Sequence, residues 1–137
     1  MRPVFKKILL PANLLICIVC TAQQEKRDSI EGIWTGTSLC QVKASACHDE
    51  NVVYHISKAR MKKAYIIQMN KIVNGAEEEM GEITIAYDES KRILLGETKD
   101  SQGRTGVWIF KAEGNQIHGT LTINGSTLFR IIEVKKT

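Results

Sequence analysis

The sequence lacks an apolar run long enough to span a bilayer. Its most apolar stretch extends from Ile8 to Val19 and is interrupted by Pro11 and Asn13, whereas a transmembrane helix needs about 20 consecutive apolar residues. A membrane span is therefore not expected. Basic residues precede this stretch and the small residue Ala22 follows it, which is typical of a secretory signal peptide.

We therefore predict a signal peptide over residues 1–22 and a secreted or periplasmic mature protein of residues 23–137 that begins at Gln23. A lipid anchor is the alternative, because Cys20 follows an apolar triplet. Val19 is bulky for the position before a lipidated cysteine, so cleavage before Gln23 is favoured.

The predicted mature chain also lacks a charge excess of either sign. Three of the 19 Lys and Arg residues, but none of the 15 Asp and Glu residues, lie in residues 1–22. The remainder has 16 basic and 15 acidic residues, a formal net charge of +1 rather than +4. Net charge therefore gives no reason to expect a nucleic-acid partner or attraction to anionic membranes.

Cysteine is scarce outside the signal peptide. Cys17 and Cys20 lie within residues 1–22, and only Cys40 and Cys47 follow. In an exported protein such a pair favours a disulfide, and its spacing does not match that of a reactive thiol pair. We predict one Cys40–Cys47 disulfide, which stabilises the fold by about 2–3 kcal/mol in the chain-entropy model.

Local motifs of catalysis are missing too, since there is no Gly-x-Ser-x-Gly and no phosphate-binding loop. The densest group of potential metal ligands is His48, Asp49 and Glu50, followed by His55. Zinc would need three or four of them to converge, whereas an acidic side chain beside a strand commonly accepts backbone N–H groups. We expect the latter role for Asp49 or Glu50, and no catalytic residue, metal or cofactor. A metal-assisted enzyme is the less favoured alternative.

The sequence does contain short runs of alternating apolar and polar residues, the pattern of half-buried antiparallel strands. Turn residues such as Asn74-Gly75 and Asn124-Gly125 separate these runs. No repeat or linker interrupts them, which predicts one all-β domain. The predicted strands are Ile30–Leu39, Asn51–Lys58, Ala64–Asn70, Glu82–Asp88, Arg92–Thr98, Thr105–Ala112, Gln116–Asn124 and Thr127–Val134.

Two segments depart from the simple pattern. Strand Thr105–Ala112 has consecutive apolar residues at 107–110, so both of its faces must avoid water. We interpret it as a strand covered on the outside by the N-terminal segment, with a partner-binding patch as the alternative. The segment Asn74–Gly81 contains three consecutive Glu residues and is predicted to be a solvated loop.

An antiparallel meander leaves two unpaired edges unless it closes, and an up-and-down barrel is the usual closure for eight strands. The first strand contains Gly32-Ile33-Trp34, which resembles the Gly-x-Trp motif of the calycin superfamily of lipocalins, fatty-acid-binding proteins and avidins. In that superfamily a basic residue of the last strand packs across this Trp at the closed end of the barrel. Arg130 matches that residue here, and a guanidinium over an indole contributes about 0.5–2 kcal/mol.

The resemblance implies a lipocalin-like barrel of about eight strands, with a possible binding interior, but it does not identify a ligand. Fatty-acid-binding proteins insert a helical pair where this chain has the loop Cys40–Glu50, and two Trp residues are too few for an avidin-type biotin pocket. We expect a secreted binding module for a small apolar molecule or a protein, with a secreted inhibitor of a hydrolase as the alternative. The expected apolar contacts are Tyr54, Met69, Tyr87, Trp108 and Phe110.

The exported protein should begin at Gln23, because the small residue Ala22 ends the signal peptide. Intact-mass spectrometry of exported protein tests this expectation. A mass that includes residues 1–22 would contradict it, and a lipid-modified Cys20 at the N-terminus would establish the anchored alternative.

Overall fold

The computed structural model describes residues 29–43 and 46–137. The predicted signal peptide, the alternative lipid site at Cys20 and residues 23–28 lie outside the described residues. Within the described part, no helix is long and apolar enough to cross a membrane.

Eight antiparallel strands close into a barrel, in which each strand pairs with the next and the last pairs with the first. This arrangement confirms the predicted all-β, up-and-down barrel. The strands are β1 (Gly32–Cys40), β2 (Glu50–Lys58), β3 (Ala64–Val73), β4 (Ala76–Asp88), β5 (Ile93–Lys99), β6 (Thr105–Glu113), β7 (Gln116–Ile123) and β8 (Thr127–Lys136).

Alternate residues of the strands fill the interior, as the apolar alternation predicts. Val52, Tyr54 and Ile56 on β2 are all buried, and so are Ile83 and Ile85 on β4. Their side chains form one continuous core with buried residues of the other strands. The other members of this core are Ile30, Trp34, Ile67, Met69, Leu94, Phe110, Ala112, Ile117, Ile132 and Val134.

The prediction of a solvated loop over Asn74–Gly81 is wrong, because β3 continues to Val73 and β4 already begins at Ala76. Asn74 and Gly75 form the connecting two-residue turn, with φ angles of 52° and 79°. Both angles lie in the left-handed region that such hairpin turns require. The hairpin therefore extends through all three Glu residues.

Polar partners keep these Glu residues on a strand. Oε2 of Glu77 accepts a hydrogen bond from Nδ2 of Asn70 and lies 2.7 Å from Nε2 of His55. Glu78 forms an ion pair with Lys71 on the neighbouring strand. The hydrogen bonds from His55 and Asn70 hold the pKa of Glu77 below its ordinary value. Charge alone was therefore a poor indicator of a loop, because two of the three carboxylates have partners on neighbouring strands.

Trp34 closes the end of the barrel at which β1 begins, here called the Trp34 end. Its side chain is fully buried, and its Nε1 donates a hydrogen bond to the carbonyl oxygen of Ile30 at 2.9 Å. Nζ of Lys136 lies 5.6 Å from the centroid of the indole and donates to the carbonyl oxygen of Ser29 at 2.6 Å. These contacts tie the entry into β1 to the last residue of β8.

The prediction that Arg130 packs across Trp34 is wrong. In the β1–β8 ladder Trp34 lies opposite Lys136, whereas Arg130 lies opposite Cys40. Six strand residues span about 20 Å, so the guanidinium of Arg130 belongs to the opposite end of the barrel. A basic residue of the last strand does cover the indole, as the resemblance implies, but that residue is Lys136.

Glycine allows close approach at two positions of the wall. A Cβ at Gly36 would lie 1.9 Å from the carbonyl oxygen of Glu133, so a side chain there would push β1 away from β8. A Cβ at Gly119 would lie 2.4 Å from Cδ1 of Phe110, where the ring fills the core. Both positions therefore require glycine for steric reasons.

The β4–β5 ladder is the shortest of the barrel. Its register pairs are Ala86 with Leu95, Tyr87 with Leu94 and Asp88 with Ile93. Within the described strands, residues 76–85 of β4 therefore have no ladder partner on β5. This seam is therefore the least extensively paired part of the closed wall.

The outward side of β6 remains partly exposed. Ile109 is 41% exposed, and its cross-strand neighbour Leu95 is 51% exposed. The chain before Ser29 lies outside the described residues, so its covering of β6 stays a prediction.

Removing the Trp34 side chain should destabilise the protein by about 3–5 kcal/mol, because it leaves a large cavity in the core. Lys136→Met keeps the apolar stem and removes the cation, so a loss of about 0.5–2 kcal/mol is expected. Urea unfolding of both single variants and the double variant should give non-additive losses. The control is Lys135→Met, at an exposed neighbouring position. Additive losses, or equal effects of the two lysine variants, would contradict the Trp34–Lys136 contact.

Candidate functional site

A disulfide-bonded loop lies at the end of the barrel opposite Trp34, here called the disulfide end. Cys40 and Cys47 are joined, with 5.9 Å between their Cα atoms, which confirms the predicted disulfide. Oδ1 of Asp49 accepts a hydrogen bond from the backbone N–H of Cys40 at 2.8 Å, which confirms the backbone-binding role predicted for Asp49 or Glu50. The backbone N–H of Gln41 donates to the carbonyl oxygen of Phe129 on β8. The loop is therefore fixed to the barrel wall.

Arg130 connects this loop to the barrel interior. Its Nη1 lies within 3.3 Å of both the carbonyl oxygen and Oγ of Ser38, and donates to the carbonyl oxygen of His48 at 3.1 Å. Ser38 is only 2% exposed. The guanidinium of Arg130 is thus held at the boundary between the loop and the core, with part of its surface accessible to solvent.

Tyr54 extends this polar group into the core. The Tyr54 side chain is 2% exposed, and Ser38 and Arg130 both lie close enough to influence its ionisation. Burial raises the pKa of Tyr54 to about 12, while the Ser38 hydrogen bond and the Arg130 charge act in the opposite direction. The Tyr54 hydroxyl is therefore neutral at physiological pH and remains able to donate a hydrogen bond.

Apolar and aromatic side chains surround the ring of Tyr54. Phe110 meets Tyr54 edge to face at a centroid distance of 6.3 Å and stacks on Trp108 at 5.9 Å. Nε1 of Trp108 donates to Oγ1 of Thr98 at 3.0 Å. Met69 is the cross-strand neighbour of Tyr54. Four of the five predicted apolar contacts therefore lie in one interior cluster.

Tyr87, the fifth predicted contact, lies at the Trp34 end. Its ring meets Tyr65 edge to face at 5.4 Å, and it borders a recess of about 450 Å³ between the β2–β3 and β4–β5 turns. Tyr87 therefore does not belong to the cluster around Tyr54.

The His48–Glu50 segment does not form a metal cluster within the described residues, where no group of three His, Cys, Asp or Glu side chains could hold a metal ion. His48 and Asp49 are exposed. His55 instead lies on β2 beside Glu77. His55 therefore does not join His48, Asp49 and Glu50 in one cluster, although the sequence places these four residues close together.

Ser38 is the residue that sequence reasoning missed. It lies on β1 in the same inward-facing series as Trp34 and Gly36, so a polar side chain at this position was the available signal of a buried hydrogen-bonding site. Arg130 was singled out for its charge, but its partner was misassigned. Their proximity depends on contact between residues 92 positions apart.

Chemically, Ser38, Tyr54 and Arg130 combine two hydroxyl groups and one permanent cation inside an apolar wall. A guanidinium and neutral hydroxyls are suited to a carboxylate or another strong acceptor, which they bind by charge-assisted and neutral hydrogen bonds. None of these three residues is a general base, and none is a nucleophile beside one.

Comparison with known proteins gives no relative from which to transfer a function. No family model, curated protein or solved structure matches the chain.

Folding stability should fall between pH 10 and about 12 because of Tyr54. The raised pKa means that the folded state retains a proton that the unfolded state has already lost, so this contribution is complete below pH 10 and disappears as the pH rises through the folded-state pKa. Its full size is about 2–3 kcal/mol. Urea unfolding of wild type and Tyr54→Phe across this range measures it. The same pH dependence in wild type and Tyr54→Phe would contradict this assignment.

Proposed function

We propose that the protein is a secreted, calycin-like binding module that takes a small apolar molecule with a carboxylate or similar acceptor at one end. Arg130, Ser38 and Tyr54 receive the polar end at the disulfide end of the barrel. The apolar part contacts the cluster of Trp108 and Phe110. The proposal combines the fold with the chemistry of this one interior site.

The polar group of Ser38, Tyr54 and Arg130 is the observation that carries the proposal. Burying the hydroxyls of Ser38 and Tyr54 in an apolar barrel costs free energy unless hydrogen bonds compensate, and the partly exposed guanidinium of Arg130 adds a cation beside them. A fully apolar set would pack this end of the barrel without that cost. The presence of three hydrogen-bonding side chains at one place therefore supports a role in recognising a polar group.

The packed core limits the size of the proposed ligand. Tyr54 and Phe110 are fully buried and occupy the centre of the barrel, so a long lidded cavity is not part of the proposal. Trp108 is only partly buried and packs against the edge of the core. A short apolar chain or a single ring at Trp108 is the ligand that this geometry favours.

The seam between β4 and β5 supports access to this site. Trp108 is the cross-strand neighbour of Gly96 on β5, and β5 at this level has no ladder partner on β4 within the described strands. A ligand could approach Trp108 along the seam without breaking a strand ladder. The side chain of Ile85 packs over Gly96, so approach to Trp108 along the seam requires this side chain to move.

Two further observations support the calycin-like and secreted parts of the proposal. A basic residue of the last strand, Lys136, lies over Trp34 of the Gly-x-Trp motif. The Cys40–Cys47 disulfide is suited to an oxidising compartment. Both agree with an exported barrel of this superfamily.

Short-chain carboxylic acids should bind the mature protein more tightly than alcohols of the same chain length, because only the acid gives a charge-assisted bond to Arg130. Titration monitored by Trp fluorescence and by calorimetry measures both series. Arg130→Gln should weaken acid binding by about tenfold or more and leave alcohol binding nearly unchanged.

Arg104→Gln is the matched control, because Arg104 lies near the same end of the barrel but forms an exposed ion pair with Asp100. Thermal unfolding of each variant checks that it is folded. Equal binding of acids and alcohols, or equal effects of the two arginine variants, would overturn the proposal.

A further inference from the structure

The connection between β2 and β3 at the Trp34 end concentrates positive charge. Residues 58–63, here called the basic loop, include Lys58, Arg60, Lys62 and Lys63 and contain no acidic residue. The opposite end carries the β3–β4 hairpin with its three consecutive Glu residues at 77–79. The nearly neutral net charge of the predicted mature chain thus conceals a local concentration of positive charge in the basic loop, with Asp88 and Glu89 at the neighbouring β4–β5 turn.

The cations of the basic loop are available to an external anion. All four are exposed, and none of them takes part in an ion pair within the part of the chain that the structure describes. Like charges so close together repel one another and raise the local electrostatic potential. An anionic surface would relieve this repulsion.

Met61 projects from the tip of the basic loop. It is 64% exposed, more than any other large hydrophobic residue in the described part of the chain. The backbone N–H of Ala59 donates to the carbonyl oxygen of Ala64, and Lys63 has a φ of 56°, so the turn is fixed by its own backbone. Turn tips usually carry Gly, Asn, Asp, Ser or Pro, and a methionine between cations is not needed for the turn itself.

Two tyrosines lie behind the basic loop. Tyr65 and Tyr87 border the recess of about 450 Å³ that the loop forms with the neighbouring turn. Both rings are only partly buried. Tyrosine has an apolar ring and a polar hydroxyl, and it is enriched where a protein meets the headgroup region of a bilayer.

We propose that the Trp34 end of the barrel docks on an anionic bilayer surface through the basic loop. The four cations bind lipid phosphates, and Met61 enters the headgroup layer between them. Each Lys or Arg near such a surface adds attraction that decreases within the Debye length. The acidic hairpin then faces away from the bilayer, which fixes the orientation. This inference does not depend on the ligand proposed for the disulfide end.

Vesicle co-sedimentation of the mature protein tests the docking. Vesicles of phosphatidylcholine mixed with phosphatidylglycerol should bind the protein at least about tenfold more tightly than phosphatidylcholine alone, and added salt should weaken this binding. Lys62→Glu should reduce binding to the anionic vesicles by about tenfold or more. Lys99→Glu makes the same charge change at the disulfide end and should have little effect.

Met61→Ser separates a bilayer from a soluble polyanion. It should weaken binding to anionic vesicles severalfold while leaving binding to dextran sulfate unchanged. Thermal unfolding verifies that each variant is folded, and acid binding at the disulfide end should persist in Lys62→Glu. Equal losses for Lys62→Glu and Lys99→Glu would overturn the proposal. So would anionic-vesicle binding that is unaffected by Met61→Ser.

Discussion

The pairing of β8 with β1 is the constraint on which the rest of the structure depends. It joins the two strands that would otherwise expose unpaired backbone groups, and it turns a meander into a barrel with an inside and an outside. Once the wall is closed, alternate side chains must fill a small interior. The close approach at Gly36 and the ring of Phe110 beside Gly119 are consequences of that narrow closure.

Much of the fold could be predicted from the sequence because alternation is a local signal. Val52, Tyr54 and Ile56 indicate one buried face without any knowledge of neighbouring strands. The register between the first and last strands is not local, and alternation does not indicate how many residues separate a side chain from the closed end. The last strand was predicted to stop at Val134, which left Lys136 outside it and made Arg130 the available cation. A register shift between Leu121 and Thr122 on β7 adds an irregularity that alternation does not reveal.

The candidate site was less predictable for the same reason. Tyr54, Met69, Trp108 and Phe110 could be selected as inward-facing apolar residues, but Tyr87 has the same pattern and lies at the opposite end. Which end a residue occupies depends on strand direction and stagger, and both are set by the closed ladder. The role of Ser38 required knowledge of its partner Arg130. Polar residues in an interior therefore become interpretable only when their three-dimensional partners are known.

The short β4–β5 ladder also determines how the barrel moves. Backbone amides along the unpaired part of this seam are not protected by hydrogen bonds from the facing strand, and separating the two strands further disrupts only three register pairs. Local opening here requires less free energy than unfolding of the whole domain, because the other ladders remain intact. The β4–β5 seam is therefore the part of the barrel wall that is expected to open most often. The rate at which molecules enter or leave the interior would then depend on how often this seam opens, while the β1–β8 ladder stays paired.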